Sequence, residues 1–240
     1  MGRKIDEENR TITFNYKFKF PGGLEKEFDV KLDNKTLNLI QTKKESYPKW
    51  TELKYLKCPN CSLDDARHGY CPVAVNLVDL VDFFRAAISY EEVDLLIETE
   101  ERGYIKHTTL QQGISSIIGI YMVTSGCPVM EMLKPMVRTH LPFATVRETQ
   151  YRVISMYLLA QYFLHKRGKK PDWHLTNLVK IYDDIRIVNK SFFQRLAHIK
   201  IKDATLNALV KLDMFAQHVS FSIDRNVLDE MEYLFNAYFD

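Results

Sequence analysis

Four cysteines constrain this chain more than any other feature. Cys58, Cys61 and Cys71 stand close together in KCPNCSLDDARHGYCPV, and Cys127 stands far downstream in SGCPVM. Cys58, Cys71 and Cys127 are each followed directly by proline. Four thiolates so distributed can close a tetrahedral shell around one metal ion or hold one iron–sulfur cluster. Any fold that satisfies such a site must bring residue 127 back to residues 58–71. The metal site is therefore also a statement about topology.

The spacing leaves the identity of the centre open. Cys58-Pro-Asn-Cys61 has the form of a zinc knuckle, in which one tight turn presents two sulfurs to one ion. The usual second Cys-x-x-Cys pair is replaced by two single Cys-Pro residues, Cys71 and Cys127, and isolated Cys-Pro ligands also suit a [4Fe–4S] cluster. A third option is a Cys3His zinc site made of Cys58, Cys61, His68 and Cys71, with Cys127 free. A fourth has no metal, with Cys127 as a small buried hydrophobe. The leading expectation is tetra-cysteine zinc, with the sulfurs within about 4 Å of one another; a cluster would spread them to roughly 6–7 Å around one centre. Cys71 and Cys127 both precede apparent helix starts, where free N–H groups favour a thiolate. Cys-x-x-Cys between a strand and a helix would suggest thioredoxin-like redox chemistry, but no helix pattern begins directly behind Cys61.

The chain around these cysteines reads as α+β. Ile12, Phe14, Tyr16, Phe18 and Phe20 alternate with polar residues, the period of a strand with one buried face. Pro21-Gly22-Gly23 turns the chain, Phe28, Val30 and Leu32 repeat the alternation, and Leu37 to Thr42 suggests a third strand. Residues 11–56 are thus expected to form an antiparallel β-meander, covered by Trp50, Leu53 and Leu56. Residues 57–144 should hold the cysteine site with mixed structure: a helix over 73–88, strands over 93–99 and 104–109, a buried helix over 110–123, and a helix entered through Cys127-Pro128. Residues 145–240 read as a helical bundle. Thr145 and Glu148 form a capping box, Gly168 is a breaker, and Asp172 and Asp203 sit at helix starts. In the helix that Asp203 opens, Leu206, Leu209, Val210 and Phe215 should face inward, and Ser222 or Asp224 should cap the last helix. No Gly/Ser/Pro linker separates the parts, so residues 1–240 are expected to make one body.

Composition excludes more than it names. With 33 basic and 31 acidic residues the formal charge is only +2, so bulk electrostatics point to no polyanionic partner. No apolar run approaches the ~18 residues needed to span a bilayer. MGRKIDEENR lacks the apolar segment of a signal peptide, and Asp6 disfavours myristoylation after the Met-Gly start. A cytoplasmic location is the default expectation, and there thiols favour metal over disulfides.

Other candidate groups each have a plainer explanation. His107, His140, Glu131, Lys134 and Arg138 are the nearest acid–base and anion-binding groups should the metal be catalytic, and otherwise a solvated surface. His165, Lys166, Arg167, Lys169 and Lys170 could touch phosphate, which supports an alternative nucleic-acid-binding function, but basic residues also complement a helix C-terminus. Tyr151, Tyr157, Tyr162 and Phe163 read as core and interface, and Met130, Met132 and Met136 as gap-fillers or a soft groove. No nucleophile elbow, P-loop or dinucleotide fingerprint is present, which argues against an enzyme.

The run CPNC…CPVAVNLVDLV…GISSIIGIYMVTSGCP…RTHLPFAT…SMYLLAQYFLHKRGKKPDW resembles an uncharacterised bacterial domain family of unknown function, over nearly the whole chain. The resemblance implies a bacterial cytosolic protein in which the cysteines are a shared feature, and it brings no activity with it. The functional expectation is a zinc-stabilised adaptor or regulatory module with a protein partner. An iron–sulfur redox sensor or electron carrier is the alternative.

Overall fold

The alternating segment at the front forms the centre of a four-stranded antiparallel sheet in the computed structural model, which describes residues 11–42, 44–224 and 227–239. The polar leader at residues 1–10 lies outside them. Strand β1 (Thr11–Lys19) pairs with β2 (Glu25–Asp33) across the Gly22-Gly23 turn, where both glycines have positive φ. β3 (Glu92–Glu98) and β4 (Gly103–Thr109) form a second hairpin. The hairpins join through β1 and β3, giving the order β2-β1-β3-β4. The sheet is therefore not confined to residues 11–56. The expected strand over Leu37–Thr42 is reduced to a single bridge, Leu32 to Leu39.

One face of the sheet is apolar and fully covered: Phe14, Tyr16, Phe18, Val30, Leu32, Val93, Leu95 and Ile97 are buried. The other face is charged, with Lys17 bonded to Glu25 at 2.8 Å and to Glu27 at 3.0 Å. Helix α3 (Leu110–Val123) runs under the apolar face as expected, burying Ile114, Ile117 and Ile118. It comes so close that a Cβ on Gly113 would stand 2.9 Å from both Leu95 and Phe18. Glycine at that position is a packing requirement. The stretch expected as one helix over 73–88 is broken at Leu77 into α1 (Pro72–Asn76) and α2 (Val78–Phe83), followed by a 3-10 turn. Trp50 and Leu53 cover the core as expected, whereas Leu56 points outward with φ +48°.

The second half is helical, with no strand among its described residues. α4 (Val146–Lys166) starts on the expected capping box: Glu148 N–H donates to Thr145 Oγ1 at 3.2 Å, and Thr145 N–H donates to the Glu148 carboxylate at 2.7 Å. α5 (Thr176–Ala197) starts four residues after Asp172, not directly on it. The carboxylate nevertheless caps it, accepting from Thr176 and Asn177 N–H, while also accepting the Tyr157 hydroxyl. α6 (Asp203–Asp224) packs on α3 and α5. Its inner face is Ala204, Ala208, Leu209, Ala216 and Val219, while Val210, expected inside, is exposed. Ser222 and Asp224 end α6 instead of opening a new helix, and a 3-10 segment, Val227–Tyr238, follows. Polar ties cross from front to back: Asp203 accepts from Ser89 N–H and hydroxyl, and Arg85 Nε donates to the Lys200 carbonyl. Among the described residues no helix is long and apolar enough to cross a membrane.

Candidate metal centre

The three front cysteines are placed by the backbone between the sheet's two hairpins. Cys61 N–H donates to the Cys58 carbonyl at 3.0 Å, closing the tight turn read from Cys-Pro-Asn-Cys. Residues 51–53 pair with 69–71: Leu53 N–H donates to Gly69 at 3.0 Å and Cys71 N–H to Thr51 at 2.8 Å. That pairing folds Cys71 back beside the Cys58 turn and makes it the N-cap of α1, with Pro72 at the first helical position. Cys127 arrives from the opposite side, past the end of α3 and after Gly126, whose φ is +85°. Its own carbonyl accepts from Glu131 N–H at 2.9 Å, starting the 3-10 segment Met130–Thr139.

All four cysteines line one cavity of about 20 Å³. Leu53, Val73, Val129, Val188 and Phe192 complete an apolar wall around them. A space of that size holds about one water-sized body. All four are free thiols and partly buried. Among the described residues, however, no three His, Cys, Asp or Glu side chains are grouped so as to hold a metal ion. The cysteines thus border a common space without meeting at a ligating point.

The electrostatics of the space run in two directions. Burial pushes the Cys58 thiol up to about 11, against the Ser191 hydroxyl, which favours its thiolate. Burial likewise raises Cys71, opposed by the N–H groups of Ala74 and Val73 and by the Arg195 charge. Cys127 is raised for the same reason and opposed by the N–H groups of Met130 and Val129. Unligated, Cys58, Cys71 and Cys127 stay protonated near neutral pH. Each nevertheless has hydrogen-bond donors aimed at the sulfur, the arrangement that supports a thiolate once something removes the proton.

Arg195 is the residue that sequence reasoning passed over. It is only 2% exposed, among the largest fully buried side chains of the protein, and it lines the same cavity. Its guanidinium donates to the carbonyls of Trp50 at 2.7 Å, Glu52 at 2.8 Å, Leu56 at 3.3 Å and Leu53 at 3.4 Å. Among the described residues no carboxylate lies within ion-pair distance of it. A buried cation without an anion is costly. The signal was present in its phase: Arg195 follows Phe192 by three and Val188 by seven, squarely on the buried stripe of α5.

The remaining candidates do not line this cavity. His68 is exposed, with its Nδ1 3.2 Å from the Asp64 carbonyl, so the structure does not bring the alternative ligand to the other three. His107 sits on the sheet between Asp94 and Glu92, which raise its pKa. The His140 ring is held between Phe14 and Tyr16, bonded to the Tyr16 hydroxyl at 2.8 Å. Glu131 pairs with Lys134, which also donates to Asn38 at 2.8 Å, and Arg138 donates to Asn34. These bonds anchor the Met130–Thr139 segment to the loop behind β2. Lys166, Arg167, Lys169 and Lys170 are exposed at the C-terminal end of α4, where cations complement the helix dipole. Tyr157 is buried, whereas Tyr151, Tyr162 and Phe163 are exposed and not core.

No curated protein and no solved structure matches this chain. Residues 14–236 match a family described as a domain of unknown function, DUF6901, and the cysteine-bearing stretch lies wholly within the match. The chain therefore belongs to the DUF6901 family, whose definition carries no activity.

Proposed function

We propose that Cys58, Cys61, Cys71 and Cys127 together hold one inorganic centre, and that this centre joins the sheet to the helical half of a non-enzymatic regulatory or adaptor module. The observation that carries the reading is the shared cavity: thiols from two separated stretches of chain line one small, apolar space. The donor set fits a thiophilic ion. Four thiolates around a divalent metal leave net negative charge, and the surroundings are positive: Arg195, the Ser191 hydroxyl and backbone N–H groups at Val73, Ala74, Val129 and Met130. An anionic centre would supply the counter-charge that Arg195 lacks. Four thiolates leave no open coordination position, which favours a structural over a hydrolytic role. Exposed apolar side chains on α4 (Leu159, Tyr162, Phe163) and in the last 3-10 segment (Tyr233, Leu234) support a protein partner.

Zinc is the leading identity, and the isolated Cys71-Pro72 and Cys127-Pro128 pairs favour the second, a [4Fe–4S] cluster. The cysteines surround a space without forming a ligating group. Zinc requires the sulfurs to draw in to about 4 Å of one another, whereas a cluster would require them to spread to roughly 6–7 Å and the present space, sized for about one water, to widen around it. A cluster would make the protein a redox sensor or electron carrier. Metal and acid-labile sulfide analysis of anaerobically purified protein, with absorption near 400 nm, tests both. One equivalent of zinc and a colourless preparation establish the structural reading. Iron with sulfide and a brown preparation establish the second. Protein free of both, which takes up neither zinc nor iron with sulfide on reconstitution, overturns the proposal.

A further inference from the structure

A second, larger cavity of about 200 Å³, partly open to solvent, is lined by residues of α3, the Met130–Thr139 segment and the loop after it, α4, α5 and α6. The two spaces share walls: Val129 and Val188 face the cysteines, while their neighbours Met130 and Asn189 line the larger cavity. Met130 and Met136 belong to its lining, but Met132 is exposed elsewhere. More than half of the lining residues are apolar, and Gln112, Ser115, Ser116, His140, Thr149 and Tyr182 add hydroxyl, amide and imidazole groups. Three further polar residues decide what the space would accept. Asn189 is 2% exposed, and its side-chain oxygen has no hydrogen-bond partner among the described residues. Among the described residues Arg152 donates only to the carbonyls of Thr139 at 2.7 Å and Met136 at 3.1 Å, and no carboxylate lies within ion-pair distance. Lys211 adds a second cation at the wall.

We infer that this cavity is a binding site for a small apolar monocarboxylate, whose tail fills the aliphatic space and whose carboxylate is drawn to Arg152 and Lys211. A buried, unpartnered amide marks a place where a polar atom of a ligand belongs. The cations specify the sign of that atom's charge. Asn189 can turn its amide to present either the oxygen or the N–H end. At about 20–30 Å³ per group, the volume admits roughly seven to ten non-hydrogen atoms. Octanoate is of that size. This site does not depend on the metal proposal, since its lining contains no cysteine.

The test is calorimetric titration of the full chain with octanoate and, separately, with 1-octanol. Octanoate should bind at one site, at least tenfold more tightly than octanol. Arg152→Met should remove that preference while leaving octanol binding within about twofold. Gly119→Leu supplies a control that spares every polar group: a Cβ there meets only Leu212, at 3.7 Å, and the side chain grows into the cavity. Binding of both probes should be lost in Gly119→Leu. Equal affinity for octanol and octanoate, octanoate binding that survives Gly119→Leu, or no binding to the parent would each overturn the assignment.

Discussion

Replacing Arg195 by methionine tests whether a buried cation organises the cysteine segment. Methionine matches much of the side chain's length and apolar contact but removes the guanidinium. Four carbonyls from residues 50–56 then lose their donor, two of them from bonds of 2.7 and 2.8 Å. Hydrogen bonds to a charged group contribute about 1.5–3 kcal/mol each, so the two short ones represent roughly 3–6 kcal/mol. Relief of the guanidinium's desolvation offsets part of this, leaving a net loss of about 3 kcal/mol. For a chain of this size that corresponds to a fall in Tm of about 6–12 °C. Arg195→Lys should fall between the two, because a single ammonium with three donors cannot span four carbonyls set around a planar fork. Urea unfolding followed by circular dichroism measures the loss, with metal content determined on the same samples. Stability within about 0.5 kcal/mol of the parent, with metal content unchanged, would refute both the organising role and the counter-charge argument.

Cys127→Ser should release the metal and lower Tm by at least about 10 °C, whereas His107→Ala and Glu131→Ala should change it by no more than about 2 °C; thermal scans with metal quantification compare the three. Two glycines of α3 should respond in opposite directions. Gly119→Ala gains helix propensity of up to about 1 kcal/mol at an ordinary 3.7 Å contact. Gly113→Ala forces a Cβ to 2.9 Å from Leu95 and Phe18, and should cost about 1–2 kcal/mol in denaturant unfolding. The last prediction concerns acid. Burial lowers the His140 pKa to about 3 in the folded protein, against about 6.5 when unfolded. The unfolded state then binds more protons below pH 6.5, so stability falls as pH drops from 6.5 to 5, by at most about 1.4 kcal/mol per unit. His107, with its raised pKa, contributes with the opposite sign and mostly above that window. Parent and His140→Gln unfolding curves at pH 6.5 and 5 should therefore converge at the lower pH; parallel curves would refute the assignment.

What was legible in the sequence follows the range over which each signal acts. The alternation from Ile12 to Phe20, the capping box at Thr145 and Glu148, and the boundaries of α3 are local patterns, and they appear where they were expected. The pairing of β1 with β3 is not local. It could not be inferred from either strand, so the sheet was cut at residue 56. Leu37–Thr42 has strand-like residues but no long partner edge, and forms one bridge. Cys71 caps a helix as its Cys-Pro-Val predicts, whereas the helix expected to enter through Cys127-Pro128 is a turn followed by the 3-10 segment Met130–Thr139, capped by Val129; both cysteines nevertheless border one space. Arg195 and Asn189 were hidden by the habit of reading polar residues as surface. Both fall in phase with the buried stripe of α5.

The order of the sheet has a consequence for how the chain reaches this state. Each hairpin is a short-range structure, of a kind that forms in about 1–10 μs. The seam between them pairs Lys19 with Asp94, and closing a loop of roughly 75 residues costs about 4 kcal/mol in chain entropy. Cys58, Cys61 and Cys71 all lie inside that loop, whereas Cys127 rides on the end of α3, which packs across both strands of the seam. If the four thiols share a centre as proposed, the fourth is expected to join the other three once the hairpins have met. On that proposal, assembly of the site is coupled to the longest-range pairing in the sheet, and a nascent chain that has made only its first hairpin would offer a metal at most three ligands.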